Sequence, residues 1–340
     1  MKNVLVTGSQ GFIGSYLCKD LLDNGYHVTG IDNYSKYGKL VRPHDSHPNF
    51  ELVNMDAIDL HKNAQFASKS FDVLVAGAAM IGGISYFHKY AYDLLAANER
   101  ITASTFDFAI KAFKEKRLKR IVVISSSMVF ESTSVFPTPE EEVERCPSPE
   151  STYGFQKLAT EYFCKGASIQ YGLPFSIVRP FNCIGVGENE ALSEEDVHHG
   201  GVKLLMSHVV PDLIYKCFSV GEEGPLPILG SGSQIRHYTC GDDIARGIRI
   251  VIESDQAVNN NFNISSDEPY SVTDVAKKIW KKIHGDAILR FEHYPPYDHD
   301  VQVRSPDTHK AKNVLGFECE KTLDDALDDI INWIKKQYGF

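Results

Sequence analysis

A tyrosine and a lysine four residues apart, Tyr153 and Lys157 in Y-G-F-Q-K, carry the most direct chemistry in this chain. Positions i and i+4 share one face of a helix. The lysine ammonium can therefore lower the pKa of the phenol and leave a phenolate near neutral pH, able to take a proton from a hydroxyl. Such a group needs a partner that accepts hydride from the same carbon, and the start of the chain predicts one. In K-N-V-L-V-T-G-S-Q-G-F-I-G an apolar strand (Val4, Leu5, Val6) runs into Gly8, Gly11 and Gly14, with Gln10, Phe12 and Ile13 filling the turn. A helix follows, apolar at Ile13, Leu17, Leu21 and Leu22. Gly8 permits the turn, Gly11 lets backbone approach a pyrophosphate, and Gly14 lets helix and strand pack closely. The helix N-terminus adds N–H groups and the positive end of its dipole. A second strand over residues 27–31 ends on Asp32, followed by Asn33. A carboxylate there accepts hydrogen bonds from an adenosine ribose and repels a 2′-phosphate, which favours NAD over NADP.

The elements that must position these groups follow from the hydrophobic pattern. Residues 33–49 are polar and read as a loop beside the cofactor. Strands are predicted at 50–55, ending on Asp56, at 71–76, at 121–124, running into Ser125, Ser126 and Ser127, and at 175–178. The small-residue stretch 76–84 gives a ligand room against backbone. Helical periods span 98–113 and 151–170. The basic run after the first of these (Lys114, Lys116, Arg117, Lys119, Arg120) reads as a solvated surface. Alternating strands and helices with long connections predict an α/β fold, a Rossmann doubly wound parallel sheet. Residues 182–237, rich in Gly, Pro and His, read as a binding lobe with loops. The amphipathic stretch 241–254 and a strand at 262–265 return the chain to the first unit, and helices at 271–284 and 323–338 belong to a smaller α/β C-terminal lobe. The expected division is 1–181, with 238–268 returning to it, against 182–237 and 269–340.

Composition narrows the function classes. A length of 340 residues allows a large core in two lobes, and a formal charge of −10 argues against nucleic acid or an acidic membrane as partner. The seven cysteines are scattered, without a C-x-x-C pair, and read as reduced thiols of a cytoplasmic protein. No signal-like start and no apolar run of membrane-spanning length is present. No metal site is expected, since two adjacent histidines (His198, His199) rarely converge on one ion.

Further segments then fall into order: D-V-L-V-A-G-A-A, S-S-S-M-V-F, R-P-F-N (ending at Asn182), I-L-G-S-G-S-Q-I-R-H-Y, G-D-D-I-A and R-S-P-D-T-H-K-A. With the glycine turn and Y-G-F-Q-K, they make the chain resemble the extended short-chain dehydrogenase/reductase family of nucleotide-sugar epimerases and dehydratases over essentially its full length. The resemblance implies bound NAD and a nucleotide-diphosphate sugar substrate. It implies that Asp56 and Ala57 hold adenine, that Ala78, Asn98 and Ser125 complete the cofactor pocket, and that Tyr153 and Lys157 are the catalytic pair. Ser126 would hydrogen-bond the sugar O4. Ser127, Asn182 and Val210 would line the substrate, with Asn182 on a phosphate, and Arg236 and Arg304 would clamp the diphosphate. It also implies a homodimer through the helices near 98–113 and 151–170.

Departures from the family pattern narrow the reaction. Ser127 and Met128 stand where dehydratases carry an Asp-Glu pair and decarboxylases a Glu, and Met128 cannot shuttle a proton. That leaves 4-epimerisation through a transient 4-keto sugar as the leading reading. Segments 78–84 and 207–214 are similar to GDP-fucose synthase and keep a second reading open, a 3- or 5-epimerase or epimerase/4-reductase using His208. His198, His199 and Lys203, after the acidic run 193–196, read as part of a loop over the sugar. His237 stands where the family usually has an aspartate. A cofactor-sensing binding protein without catalysis is the third reading.

Overall fold

The computed structural model describes residues 2–189, 198–199, 202–203, 208–296 and 301–340. Its first unit is built on β1 (Asn3–Thr7), β2 (His27–Asp32), β3 (Phe50–Asn54), β4 (Phe71–Ala76), β5 (Leu118–Ile124) and β6 (Phe175–Pro180). With Asn260–Ile264 they form a seven-stranded sheet in the order 260–264, β6, β5, β4, β1, β2, β3, every pairing parallel. The strands alternate faces with period two. Val4 and Val6 pack with Leu17 and Leu21 of α1 (Phe12–Asp23), whereas Leu5 packs with Phe106 of α3 (Ala91–Lys114) on the opposite face. Each such side chain taken fully from water stabilises the unit by roughly 1.5–3 kcal/mol. The order turns outward between β1 and β4, and the mouth of the cleft lies there, at the carboxyl ends of the strands, as open parallel sheets require.

Helix α2 (Ile84–Lys89) precedes α3, so helical structure begins well before residue 98. Helix α4 (Thr152–Tyr171) packs on α3 and starts at Ser151, whose hydroxyl accepts the Gly154 N–H at 3.0 Å. A Cβ at Gly154 would lie 2.7 Å from the Met128 carbonyl oxygen. That close approach seats the first turn of α4 against the end of β5.

The second unit is mostly helical, with two-stranded ladders pairing residues 226–229 with 291–294 in parallel and 235–237 with 269–271 antiparallel. Helices α5 (Val209–Val220), α7 (Val272–His284) and α9 (Leu323–Tyr338) enclose a separate core with Leu213, Ile214, Ile279, Trp280, Leu327 and Ile330. Capping boxes at Ser271/Asp274 and Thr322/Asp325 start the last two. Helix α5 falls within the stretch expected to be a binding lobe with loops. Its apolar spacing is helical, and Pro211 sits in the first turn, where proline is tolerated. Helix α6 (Gly241–Glu253) packs on α1, and α8 (His309–Leu315) on the 260–264 strand.

The basic run after α3 is not uniformly solvated. Arg120 belongs to β5 and is buried, its guanidinium donating to the carbonyls of Val251, Ile252 and Ser254. It satisfies carbonyls that a helix C-terminus leaves open, and its positive charge suits that end of the dipole. Arg117 donates to Phe66 and Lys69 carbonyls at 3.2 and 3.0 Å. The loop at 33–49 is likewise locked: Arg42 and His44 are buried within it.

All seven cysteines are free thiols. No described helix is long and apolar enough to cross a membrane, and no cluster of metal-ligating side chains occurs among the described residues. Residues 193–196 lie outside the described residues, and of 198–199 and 202–203 only the backbone pairing as a short antiparallel ladder is described.

Candidate active site

A cavity of about 670 Å³ runs from the glycine turn across the ends of β2, β4 and β5 to the second unit. Gly8, Gln10, Gly11, Phe12, Ile13, Gly14, Asp32, Asn33, Asp56, Ala57, Ala78 and Ser125 line one end of it. Ser126, Ser127, Tyr153, Lys157, Asn182, His208, Val210, Arg236 and Arg304 line the rest. Asn98 does not reach it. Its buried amide accepts from the Met80 N–H at 2.7 Å and donates to the Met80 carbonyl at 2.9 Å, pinning the wall at Met80.

The turn has the shape of a dinucleotide cradle. A Cβ at Gly14 would sit 2.0 Å from the Gly8 carbonyl oxygen, Gly8 has φ 76°, and no side chain caps the start of α1. Asp32 accepts the Gln10 N–H at 2.9 Å and the Tyr34 N–H at 2.8 Å, which ties β2 to the turn, while burial holds its carboxyl above the usual range. Asp56 accepts from Ile58 N–H and from the Asn33 amide, so it shapes the end of the cavity beside β3 as well as lining it. Gly77 and Ala78 N–H groups both donate to Thr7 Oγ1 at 3.1 Å.

Arg42 is the part of this wall that spacing does not reveal. It is 6% exposed, donates through Nε and Nη2 to the Gln10 carbonyl and through Nη1 to the Gly187 carbonyl, and lies over the Tyr37 ring. One side chain thus joins the cofactor turn to the segment that follows β6. An arginine in a polar stretch carries no periodic signal, so only the fold reveals it.

The reacting end is compact. The Tyr153 phenol is buried and hydrogen-bonded with Ser126. Burial raises its pKa, opposed by that hydrogen bond and by the charges of Arg304 and Lys36. Lys157 Nζ donates to the Ile124 carbonyl at 3.0 Å and lies 6.0 Å from the Tyr153 ring centroid. Burial pushes its ammonium down to about 8, partly opposed by Glu161. The cations that bear on the phenol here are therefore Arg304 and Lys36, with Lys157 secured to the strand end. Met128 is buried against Tyr153, Tyr86 and Leu94, so no carboxylate stands at that position.

Towards the second unit, Arg236 donates to the carbonyls of Ile235 and, at 3.4 Å, Gln302, and the Arg304 N–H donates to the Ile235 carbonyl, which brings the two arginines onto adjoining backbone. His237 fixes that junction: its ring nitrogens bond the Ser266 carbonyl at 2.9 Å and Ser305 Oγ at 3.1 Å. The Asn182 amide donates to the His237 carbonyl at 2.9 Å. His208, at the N-cap of α5, pairs through Nδ1 with the buried carboxylate of Glu188.

Comparison with known proteins accords with this geometry. The model of the NAD dependent epimerase/dehydratase family matches residues 4–265. A UDP-N-acetyl-alpha-D-glucosaminuronate decarboxylase of Bacillus cytotoxicus is 27% identical, covering 98% of each chain. A UDP-glucose 4-epimerase of Corynebacterium glutamicum is also 27% identical, over 94% of this chain and 91% of its own. The crystal structure of UDP-glucose 4-epimerase from Thermotoga maritima with UDP-glucose superimposes with a TM-score of 0.80 at 25% identity, covering 99% of both chains. A strand, glycine turn and acid that fit NAD, and a Ser–Tyr–Lys face at the far side of the same cavity, belong together: this chain is a member of the NAD dependent epimerase/dehydratase family.

Proposed function

We propose that the chain is an NAD-dependent nucleotide-sugar 4-epimerase, an isomerase, acting first of all on a UDP-linked hexose or a hexuronate. The observation that carries this reading is the phenol of Tyr153 bonded to Ser126, with the thioether of Met128 packed beside it where dehydration or decarboxylation would call for a carboxylate. Bound along Gly8–Gly14, Asp32 and Lys157, NAD supplies the acceptor and later the donor of the C4 hydride. Tyr153 takes the O4 proton as the C4–H bond breaks, and Ser126 donates to O4 so that the oxygen keeps its place. Tyr153 returns the proton when C4 is reduced from the opposite face. Arg236, Arg304 and Asn182 hold the diphosphate while the keto-sugar turns over, and bidentate guanidinium contacts suit that task. Met128 and Met80 give the ring apolar surface to slide on.

We assign residues 182–237 and 269–340 to the sugar-binding lobe, with α8 and Phe317 reaching back onto the core of the first sheet, and the remainder to the cofactor domain. We place the enzyme in the cytoplasm, in keeping with its seven free thiols. It works as a homodimer. Tyr92 on α3 and Phe155, Tyr162 and Ile169 on α4 are exposed, and pairing these helices across a two-fold axis buries them. Light scattering reads that state directly.

The test is incubation with UDP-sugars in D₂O, with products read by NMR. Inversion at C4 without deuterium at any carbon is the expected result. Deuterium at C3 or C5 would instead support the second reading, in which His208, backed by Glu188, moves a proton at carbon next to the ketone.

A further inference from the structure

Behind the reacting face lies a buried cluster that the reaction as described does not use. Tyr153, Lys157 and Glu161 follow one another at four-residue steps along α4 and so stack on one face. Glu161 is 1% exposed. Its Oε1 accepts the Ser125 hydroxyl at 2.6 Å and Arg179 Nε at 2.8 Å, and its Oε2 accepts Arg179 Nη2 at 2.8 Å. Arg179, from β6, is as deeply buried, donates further to Asn261 and the Glu140 carbonyl, and lies 5.0 Å from the Phe130 ring.

A buried ion pair is a poor source of stability, because desolvation cancels much of the attraction. What this pair does have is contact with the machinery. Ser125 is the residue between Ile124, whose carbonyl receives the Lys157 ammonium, and Ser126, which bonds the Tyr153 phenol. All three residues of that short stretch are therefore tied to the same face of α4: Ile124 by Lys157, Ser125 by Glu161 and Ser126 by Tyr153.

We propose that Glu161, oriented by the Arg179 fork, is a positioning residue: it anchors Ser125 and sets a negative charge one turn from Lys157 on the same face of α4, and so it fixes Ser126 and Lys157 relative to Tyr153. The proposal rests on Tyr153 and Lys157 being the reacting pair. Burial pulls the Lys157 ammonium toward deprotonation and Glu161 opposes it. The other charged groups around this face are Arg179 on β6, Glu140 beside it, and Arg304 and Lys36, whose charges act on Tyr153.

The experiment compares Glu161→Gln, Arg179→Met and the double variant Glu161→Gln/Arg179→Met, which leaves no buried charge unpaired. Two readouts are taken across pH: kcat with a UDP-sugar, and NAD affinity by calorimetry without substrate. In Glu161→Gln and in the double variant, the alkaline fall of both should move to lower pH by about one unit, with the KM for the sugar changed less than about twofold. Arg179→Met keeps the carboxylate, so it should lower the melting temperature without moving either limb to lower pH. A folded double variant with both limbs unmoved overturns the proposal and leaves Glu161 as a partner of Arg179 alone. Calorimetry needs no turnover, so its outcome is independent of whether the sugar reacts at C4.

Discussion

The two walls of the cleft are built on different plans. The cofactor wall is made mostly of backbone: a glycine turn, strand ends and N–H groups within short stretches of chain, locked by Asp32, Thr7 and Arg42. The opposite wall, which we assign to the sugar nucleotide, is made of side chains from places far apart in sequence, with Asn182, His208, Arg236 and Arg304 brought together by α5 and by the His237 junction. A backbone cradle suits a cofactor that stays the same, and a side-chain wall can be changed one residue at a time. Cofactor identity is accordingly plain in the sequence, and the sugar is not.

The largest expected effect lies where the walls meet. Tyr153→Phe should lower kcat by about 10²–10⁴-fold, the usual worth of a positioned acid–base group, with NAD affinity nearly intact; a fall in affinity matching that in kcat would place the phenol on the wrong wall. Next is Gly14→Ala, which puts a methyl 2.0 Å from the Gly8 carbonyl. It should destabilise the protein by about 3 kcal/mol and abolish NAD retention, read by melting and by absorbance of the purified protein. Arg42→Met removes the guanidinium that spans the walls through Gln10 and Gly187. Its expected cost is about 2–3 kcal/mol, with the KM for sugar and the Kd for NAD rising together; movement of one constant alone would argue that the walls are independent.

The smallest effect is pH-dependent. Burial pushes His44 from 6.5 down to about 4, so between these values the unfolded chain binds the proton and the folded one does not. Stability then rises with pH across that window and is lost on acidification through it. His44→Phe should flatten that part of the acid-denaturation profile.

Period and turn chemistry made most of the first unit legible. The strands at β1, β2 and β4 and the end of α4 are visible because Val, Ile and Leu alternate or recur on a helical face next to Gly. Helix α5 was hidden by Pro211 and by its Gly- and His-rich surroundings, although Val210, Leu213, Ile214 and Cys217 have helical spacing. Arg120 looked solvated because a charge beside other charges gives no sign that a helix C-terminus will close over it. Tyr153, Lys157 and the glycines were legible as local motifs, whereas Arg42, Glu161 and Glu188 acquire meaning only through contacts that the fold makes.

In the proposed 4-epimerisation one hydride leaves C4 and returns to the same carbon. Turnover of a UDP-hexose carrying deuterium at C4, in ordinary water, tests it most directly. Full retention of the label at C4 of the inverted product is the predicted result; washout of that label into solvent would contradict the account.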